Sequence, residues 1–272
     1  MAKFELPDIR VPAGMKAEEM PDLLRHWYLG SRGRRHMVLR RFSEVDRWLV
    51  GNPGASVLDI GSAWGYNVMA LEALGMRVVG MDLVVDQFEV GARIAHENGA
   101  EFRVVGGDAA RLPFGDGQFD GITMVETFEH VFEDDRPAVL RECHRVLKDG
   151  GRLVLSTPNY YGIVERFKRV AVRLPWLRRR LPTMCYPADG VDRSTYHPYR
   201  YHQPATPEAI RGYLEGAGFS VRSVTCFLFV TKNTPDGLFP LVRSTETLME
   251  QAPILKQLAA TVCVVADRQA GP

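Results

Sequence analysis

Glycines and carboxylates at the ends of short apolar runs are the residues best placed to do chemistry. Val57-Leu-Asp-Ile-Gly-Ser-Ala-Trp-Gly65 is an apolar run that enters a glycine-bearing turn ahead of a helix-forming stretch. Glycines there let backbone N–H groups approach a ligand with no Cβ in the way. The helix N-terminus that follows favours a carboxylate or phosphate. Taken alone, such a turn is equally a device for tight packing. Asp82 closes the next apolar run, where a carboxylate can accept both hydroxyls of a ribose. Asp108 follows the third run, within Gly106-Gly-Asp-Ala109. An ionised carboxylate only accepts hydrogen bonds, which suits the exocyclic amine of an adenine. Three such positions in succession describe a nucleoside-shaped site. Candidate bases lie further along. Glu126 and His130 are four apart and share a face if that stretch is helical. His197 and His202 sit in Tyr196-His-Pro-Tyr-Arg-Tyr-His202, and histidine titrates near neutral pH. Either pair also serves as a purely structural hydrogen-bonding set.

These residues need a scaffold of alternating elements. Val38, Phe42, Val45 and Leu49 mark one apolar face of a helix, ended by Gly51-Asn-Pro-Gly54. Strands are expected at 56–60, 77–81, 101–105, 119–125 and 152–156, with helices at 67–74, 85–98 and 136–147 between them. Gly150-Gly151 is expected to stop the last of these. Alternation of this kind means parallel crossovers in an open α/β sheet. A helix over 207–217 and strands over 219–229 and 260–267 follow, with 236–258 helical but broken at Pro240 and Pro253. The expected plan is one domain: a helical cap (1–52), a nucleoside-binding half (53–158), an inserted lid (159–205) and a C-terminal half of the sheet (206–272).

The run Val57–Gly65, then Asp82, Gly107-Asp-Ala-Ala-Arg-Leu-Pro-Phe114 and Gln118-Phe-Asp120 resembles the class I S-adenosylmethionine-dependent methyltransferases, most closely their small-molecule group. The pattern continues in Glu126-Thr-Phe-Glu-His-Val131 and Arg145-Val-Leu-Lys-Asp-Gly-Gly151, and returns between His202 and Phe219. The resemblance implies a Rossmann-like α/β fold: a seven-stranded, mostly parallel sheet with an antiparallel last strand. It implies S-adenosylmethionine as cofactor and S-adenosylhomocysteine as product. Asp59, Gly61, Ala63 and Gly65 would surround the methionine portion, Asp82 the ribose, Asp108 with the Ala109 backbone the adenine, Leu83 the adenine face, and Glu126 the strand end beside the methyl. Ala63 departs from the family, which usually has glycine there. Trp27, Tyr28, Trp64 and Tyr66 could set a ring near the sulfonium or simply pack the cap. Tyr28, Tyr160 and Tyr199 are candidate substrate contacts. Asn159-Tyr-Tyr is not the Asn-Pro-Pro-Tyr motif of nucleic-acid amine methyltransferases, because it follows the fifth strand and lacks the prolines.

Other classes fit less well. The glycines at 61 and 65 do not make the G-x-G-x-x-G of a dinucleotide enzyme, and neither a phosphate-binding loop nor a G-x-S-x-G nucleophile elbow occurs. Lys plus Arg is 34 and Asp plus Glu 33, a net charge of +1 that argues against a nucleic-acid coat. Cys143, Cys185, Cys226 and Cys263 are scattered and the seven histidines dispersed, so no metal site is expected. No apolar stretch nears the roughly 20 residues that span a bilayer, and the first residues lack a signal core, so a cytoplasmic location is expected. Residues 165–180, ERFKRVAVRLPWLRRR, carry seven basic residues against one acid. Such a segment could be a solvated lid, hold an anionic substrate, or touch a membrane surface. The function expected is methyl transfer to a hydroxyl of a metabolite, sugar or lipid-like intermediate. The alternatives are a quinone- or lipid-type C- or N-methyltransferase at a membrane face, and a non-catalytic binding protein on the same fold.

Overall fold

A computed structural model describes residues 9–21, 24–25, 29–174, 176 and 202–269. Seven strands form one sheet: β1 (Ser56–Ile60), β2 (Arg77–Asp82), β3 (Val104–Gly106), β4 (Phe119–Val125), β5 (Leu147–Pro158), β6 (Phe219–Phe227) and β7 (Thr261–Arg268). Their order is β3-β2-β1-β4-β5-β7-β6. Only β7 runs against the rest, paired antiparallel with β5 on one side and β6 on the other. The chain winds outward from β1 to β3, then crosses back to lay β4 on the other side of β1. That reversal opens a crevice at the carboxyl ends of β1 and β4, where open α/β sheets hold ligands.

Helices cover both faces: α1 (Arg32–Asp46), α2 (Tyr66–Ala73), α3 (Phe88–Glu97), α4 (Arg136–Val146), α5 (Ile163–Val172), α6 (Pro207–Gly216) and α7 (Phe239–Gln251). Alternate residues of a strand serve opposite cores. Leu153 and Leu155 of β5, with Val262 and Val264 of β7, pack against Leu140 and Cys143 of α4 and Ile210 and Leu214 of α6. Their neighbours Val154, Cys263 and Val265 face Val45 of α1 instead. Met15, Met20 and Leu24 join Val38 in a cap over Trp64, Tyr66 and Ile94. The aromatic pair expected near a sulfonium is therefore cap core, with Trp64 and Tyr66 ring centroids 5.7 Å apart.

Some boundaries move. Helix α1 closes at Asp46, so Leu49 lies in the following turn. Strand β3 has only three residues and starts at Val104 rather than 101, and α3 starts at Phe88 rather than 85. Helix α4 ends at Val146, before the glycines, because Leu147 already pairs with Phe119. Pro240 does not break a helix. It occupies the first turn of α7, where a missing N–H costs nothing. The lid expected over 159–205 begins with α5. Cys143, Cys226 and Cys263 are buried and free, while Cys185 lies outside the described residues. No helix among the described residues is long and apolar enough to cross a membrane.

Candidate functional site

The turn after β1 is built from backbone conformations that exclude most side chains. Gly61 and Gly65 have φ of +80° and +83°. A Cβ on Gly61 would stand 2.2 Å from the Thr127 hydroxyl, and one on Gly65 would stand 2.2 Å from the Phe102 ring. Ala63 adopts φ +48°, the same left-handed region, but carries a methyl. Its N–H donates to Asp82 Oδ2 at 2.8 Å, and the Val84 N–H donates to Asp82 Oδ1 at 2.9 Å. The carboxylate at the end of β2 is thus fixed by two loops. Each oxygen keeps a second lone pair for a ligand hydroxyl. Burial raises the Asp82 carboxyl above its ordinary value, opposed by these N–H bonds. Leu83 beside it is 57% exposed. Asp108 is exposed just beyond β3, its Oδ1 accepting from the Ala110 N–H at 2.9 Å. Ala109 lies between them in the chain, half-buried.

A diol-accepting carboxylate, an exposed leucine and a second carboxylate at adjoining strand ends have the donor and acceptor chemistry of a nucleoside site. S-adenosylmethionine fits that set. Asp59 stands apart from it. It is buried beneath the turn, with Oδ1 accepting from Thr123 Oγ1 at 2.6 Å and Asn67 Nδ2 at 3.0 Å. Burial pushes its carboxyl up to about 6. It braces β1, α2 and β4 from below.

A second group of polar side chains gathers at the ends of β4 and β5. Glu126 sits at φ +52°, so the chain turns sharply after β4 instead of entering an α-helix. Only a short 3-10 turn, Phe128–His130, follows. The shared helical face expected for Glu126 and His130 does not form. Glu126 points to the cap instead. Arg41 Nη2 lies 2.8 Å from Glu126 Oε2, and Ser156 Oγ donates to Oε1 at 3.1 Å. Arg41 also donates to Thr261 Oγ1 at 3.2 Å, tying α1 to β7. Burial pushes the Glu126 carboxyl up to about 7, with Arg41 opposing and Glu129 adding.

Glu129 takes the place beside His130. It is buried, accepts from Thr157 Oγ1 at 3.1 Å, and lies 4.0 Å from His130 Nε2. Burial raises its carboxyl too, with His202 the main opposing charge. The Gln203 N–H donates to the Glu129 carbonyl at 2.9 Å, and Arg136 Nη2 grips the Gln203 carbonyl at 2.5 Å. These bonds bring His202 in. Its ring centroid is 5.7 Å from that of His130, and its Nε2 is 3.7 Å from Glu165 of α5. Histidines dispersed in sequence therefore meet in space. Glu129, His130 and His202 each offer an atom within 4.8 Å of the others, a donor set suited to moving a proton or holding a cation.

The other expected residues divide. Tyr160 lies under the Arg169 guanidinium, 3.9 Å from its ring centroid, which ties β5 to α5. Asn159 is buried and donates to the Gln257 and Ala259 carbonyls at 2.9 Å, a structural clamp. Trp27, Tyr28, His197 and Tyr199 fall outside the described residues. Arg41, Glu129 and Glu165 were not expected. Arg41 lies on the polar side of a cap helix, and no local motif marks it. The Glu129-His130 dipeptide does carry a signal, an acid and a histidine together at a strand end.

Residues 58–155 match a family described as a methyltransferase domain. A demethylmenaquinone methyltransferase of Thermus thermophilus is 35% identical over 180 residues, covering 61% of this chain and 74% of that protein. A ubiquinone biosynthesis O-methyltransferase of Xanthomonas euvesicatoria is 31% identical, covering 65% and 67%. Among solved structures, a 1,6-didemethyltoxoflavin-N1-methyltransferase of Burkholderia thailandensis with bound S-adenosylhomocysteine superposes at TM-score 0.54 and 18% identity, covering 90% and 82%. The [4+2]-cyclase SpnF superposes at 0.57 and 18% identity, covering 85% and 81%, a likeness of fold alone. Glycine turn, paired strand-end carboxylates and relatives agree: the chain belongs to the class I S-adenosylmethionine-dependent methyltransferases.

Proposed function

We propose that this methyltransferase methylates a hydroxyl oxygen of a small molecule of quinone-precursor or other lipid-like character. The observation that carries the reading is the convergence of His130 and His202 on buried Glu129, at the strand ends beside the cofactor turn. Bound S-adenosylmethionine supplies the methyl on a cationic sulfur, so the electrophile is the cofactor's own. The chain must hold the acceptor in line and take up its proton. A histidine base near neutral pH adds roughly 10²–10⁴-fold to such a step. His202 is placed for that task between Glu129 and Glu165, two carboxylates that favour its charged form once the proton has moved. Thr157 orients Glu129, and Arg41 holds Glu126 away from the histidines. Support for the acceptor class comes from the relatives, named for menaquinone and ubiquinone biosynthesis.

The test uses quinol and catechol head groups with a labelled methyl donor. Label on oxygen is expected, with turnover falling roughly 10²–10⁴-fold in His202→Ala while cofactor affinity holds. Unchanged turnover in His130→Ala, His197→Ala and His202→Ala, each made singly, ends the base reading. Activity lost to a chelator and restored by a divalent ion would reassign the same cluster to a metal. Label on carbon or nitrogen would replace the hydroxyl acceptor.

A further inference from the structure

Helix α5 is inside out. Its inward side holds the charge: Glu165 is 2% exposed and paired with Lys168. Its outward side holds the oil. Ile163 is 60% exposed, Phe167 51% and Val170 56%, at i, i+4 and i+7 on one stripe. Leu174 and Trp176, at 38% and 59%, extend that surface beyond the helix end. A helix packed on a soluble protein has the opposite arrangement, apolar toward the core and charged toward water. The fold keeps α5 this way because Glu165 and Lys168 are needed inside, beside His202 and near Lys232.

The charge on the outward side has one sign. Arg166 and Arg173 are exposed among the apolar residues, and the only acid of the helix is the one turned inward. Apolar side chains flanked by arginines, with no exposed acid, match the boundary layer of an anionic bilayer, where acyl chains begin beneath headgroup phosphates. A protein partner would have to bring a face both apolar and acidic. A bilayer presents that combination everywhere.

We propose that the outward face of α5 docks this enzyme on anionic lipid, with Ile163, Phe167 and Val170 among the upper acyl chains and Arg166 and Arg173 against the phosphates. The inward face of the same helix touches His202. The lipid surface and the His130–His202 cluster are thereby separated by one helix, about 10–12 Å across. An acceptor carried in the membrane would reach the site without crossing water. That last step rests on the function proposed above; the docking does not.

The test sediments the whole protein with vesicles of phosphatidylcholine alone and of phosphatidylcholine mixed with phosphatidylglycerol. Binding to the mixed vesicles is expected, weakening as salt rises. The triple variant Phe167→Ser, Val170→Ser, Leu174→Ser should bind them roughly tenfold more weakly, since buried apolar area sets interfacial affinity. Unchanged S-adenosylmethionine affinity in that variant would show an intact fold. Wild-type protein that ignores anionic vesicles overturns the proposal, as does a triple variant that binds as well as wild type. Self-association that the triple variant abolishes, without vesicle binding, would make the face a contact between copies and also overturn it. No arm reads methyl transfer, so failure here and failure of the hydroxyl-acceptor reading are separate results.

Discussion

The two halves of the crevice are held by different kinds of bond. At the cofactor end, Asp82 is fixed by backbone N–H groups of Ala63 and Val84, and Asp108 by that of Ala110. All three partners lie within the adjoining strand-and-turn units. At the acceptor end, the fixing groups are side chains from remote segments: Arg41 on Glu126, Arg136 on the Gln203 carbonyl, Glu165 beside His202. Backbone bonds of the first kind survive almost any change of side chain. Bonds of the second kind depend on a few charged residues. A half that always meets the same cofactor can be built of backbone, while a half whose ligand varies within a family is built of replaceable side chains.

Substitutions in each half should separate affinity from stability. Asp82→Ala removes the diol acceptor, and two hydrogen bonds to a charged group, each about 1.5–3 kcal/mol, predict roughly 10²–10⁴-fold weaker S-adenosylmethionine binding by calorimetry. Affinity within tenfold of wild type would move the anchor elsewhere. Arg41→Met should instead cost stability, about 3 kcal/mol in urea unfolding near pH 8, by leaving Glu126 half-buried without its cation. That cost should shrink below pH 7, where the Glu126 carboxyl, titrating at about 7, takes a proton. Adding Glu126→Gln should restore most of the loss.

The brace under the turn gives a third, smaller effect. Asp59 titrates at about 6 in the fold, against about 3.9 in an unfolded chain. The folded state therefore binds the extra proton. Its contribution is complete below about pH 4 and is lost as pH rises to about 6, by about 2–3 kcal/mol. Asp59→Asn can still accept from Thr123 and Asn67, and it should flatten that slope in urea unfolding. An unchanged slope would assign it to other groups, Asp46 first, whose carboxyl burial also holds well above the usual range. The smallest effect is expected from Ala63→Gly. Removing a Cβ at φ +48° should add about 0.5–1 kcal/mol of stability. A loss instead would mean that the methyl packs usefully against the cap.

What the sequence made legible follows the same division. The glycine turn, Asp82 and Asp108 could be read because each belongs to a single strand-turn-helix unit and needs no distant partner. The one misplacement there, Asp59, follows from strand alternation: it points below the turn while its neighbours reach the crevice. The meeting of His202 with Glu129 could be suspected from residue types but not located. It depends on Gln203 and Arg136, brought together only when α6 packs against α4. The failed pairing of Glu126 with His130 turns on one backbone angle, which residue spacing does not report. The periodicity of α5 was visible in 165–180, but which side faced inward was not, because the deciding residue, Glu165, is held by partners elsewhere in the fold.

Strand β7 has a consequence for how the molecule is made. It is the last of the seven strands to leave the ribosome, yet it lies between two that emerge earlier. Until it arrives, the nascent chain holds β5 with an open edge and β6 with no place in the sheet. Both are apolar and ready to pair with strands of other chains. Synthesis must therefore keep β5 and β6 apart, and from their neighbours, until Thr261–Arg268 slides between them. A slow decoding step before residue 261 would lengthen that exposure. Aggregation of the nascent chain, rather than loss of any catalytic group, would be its first symptom.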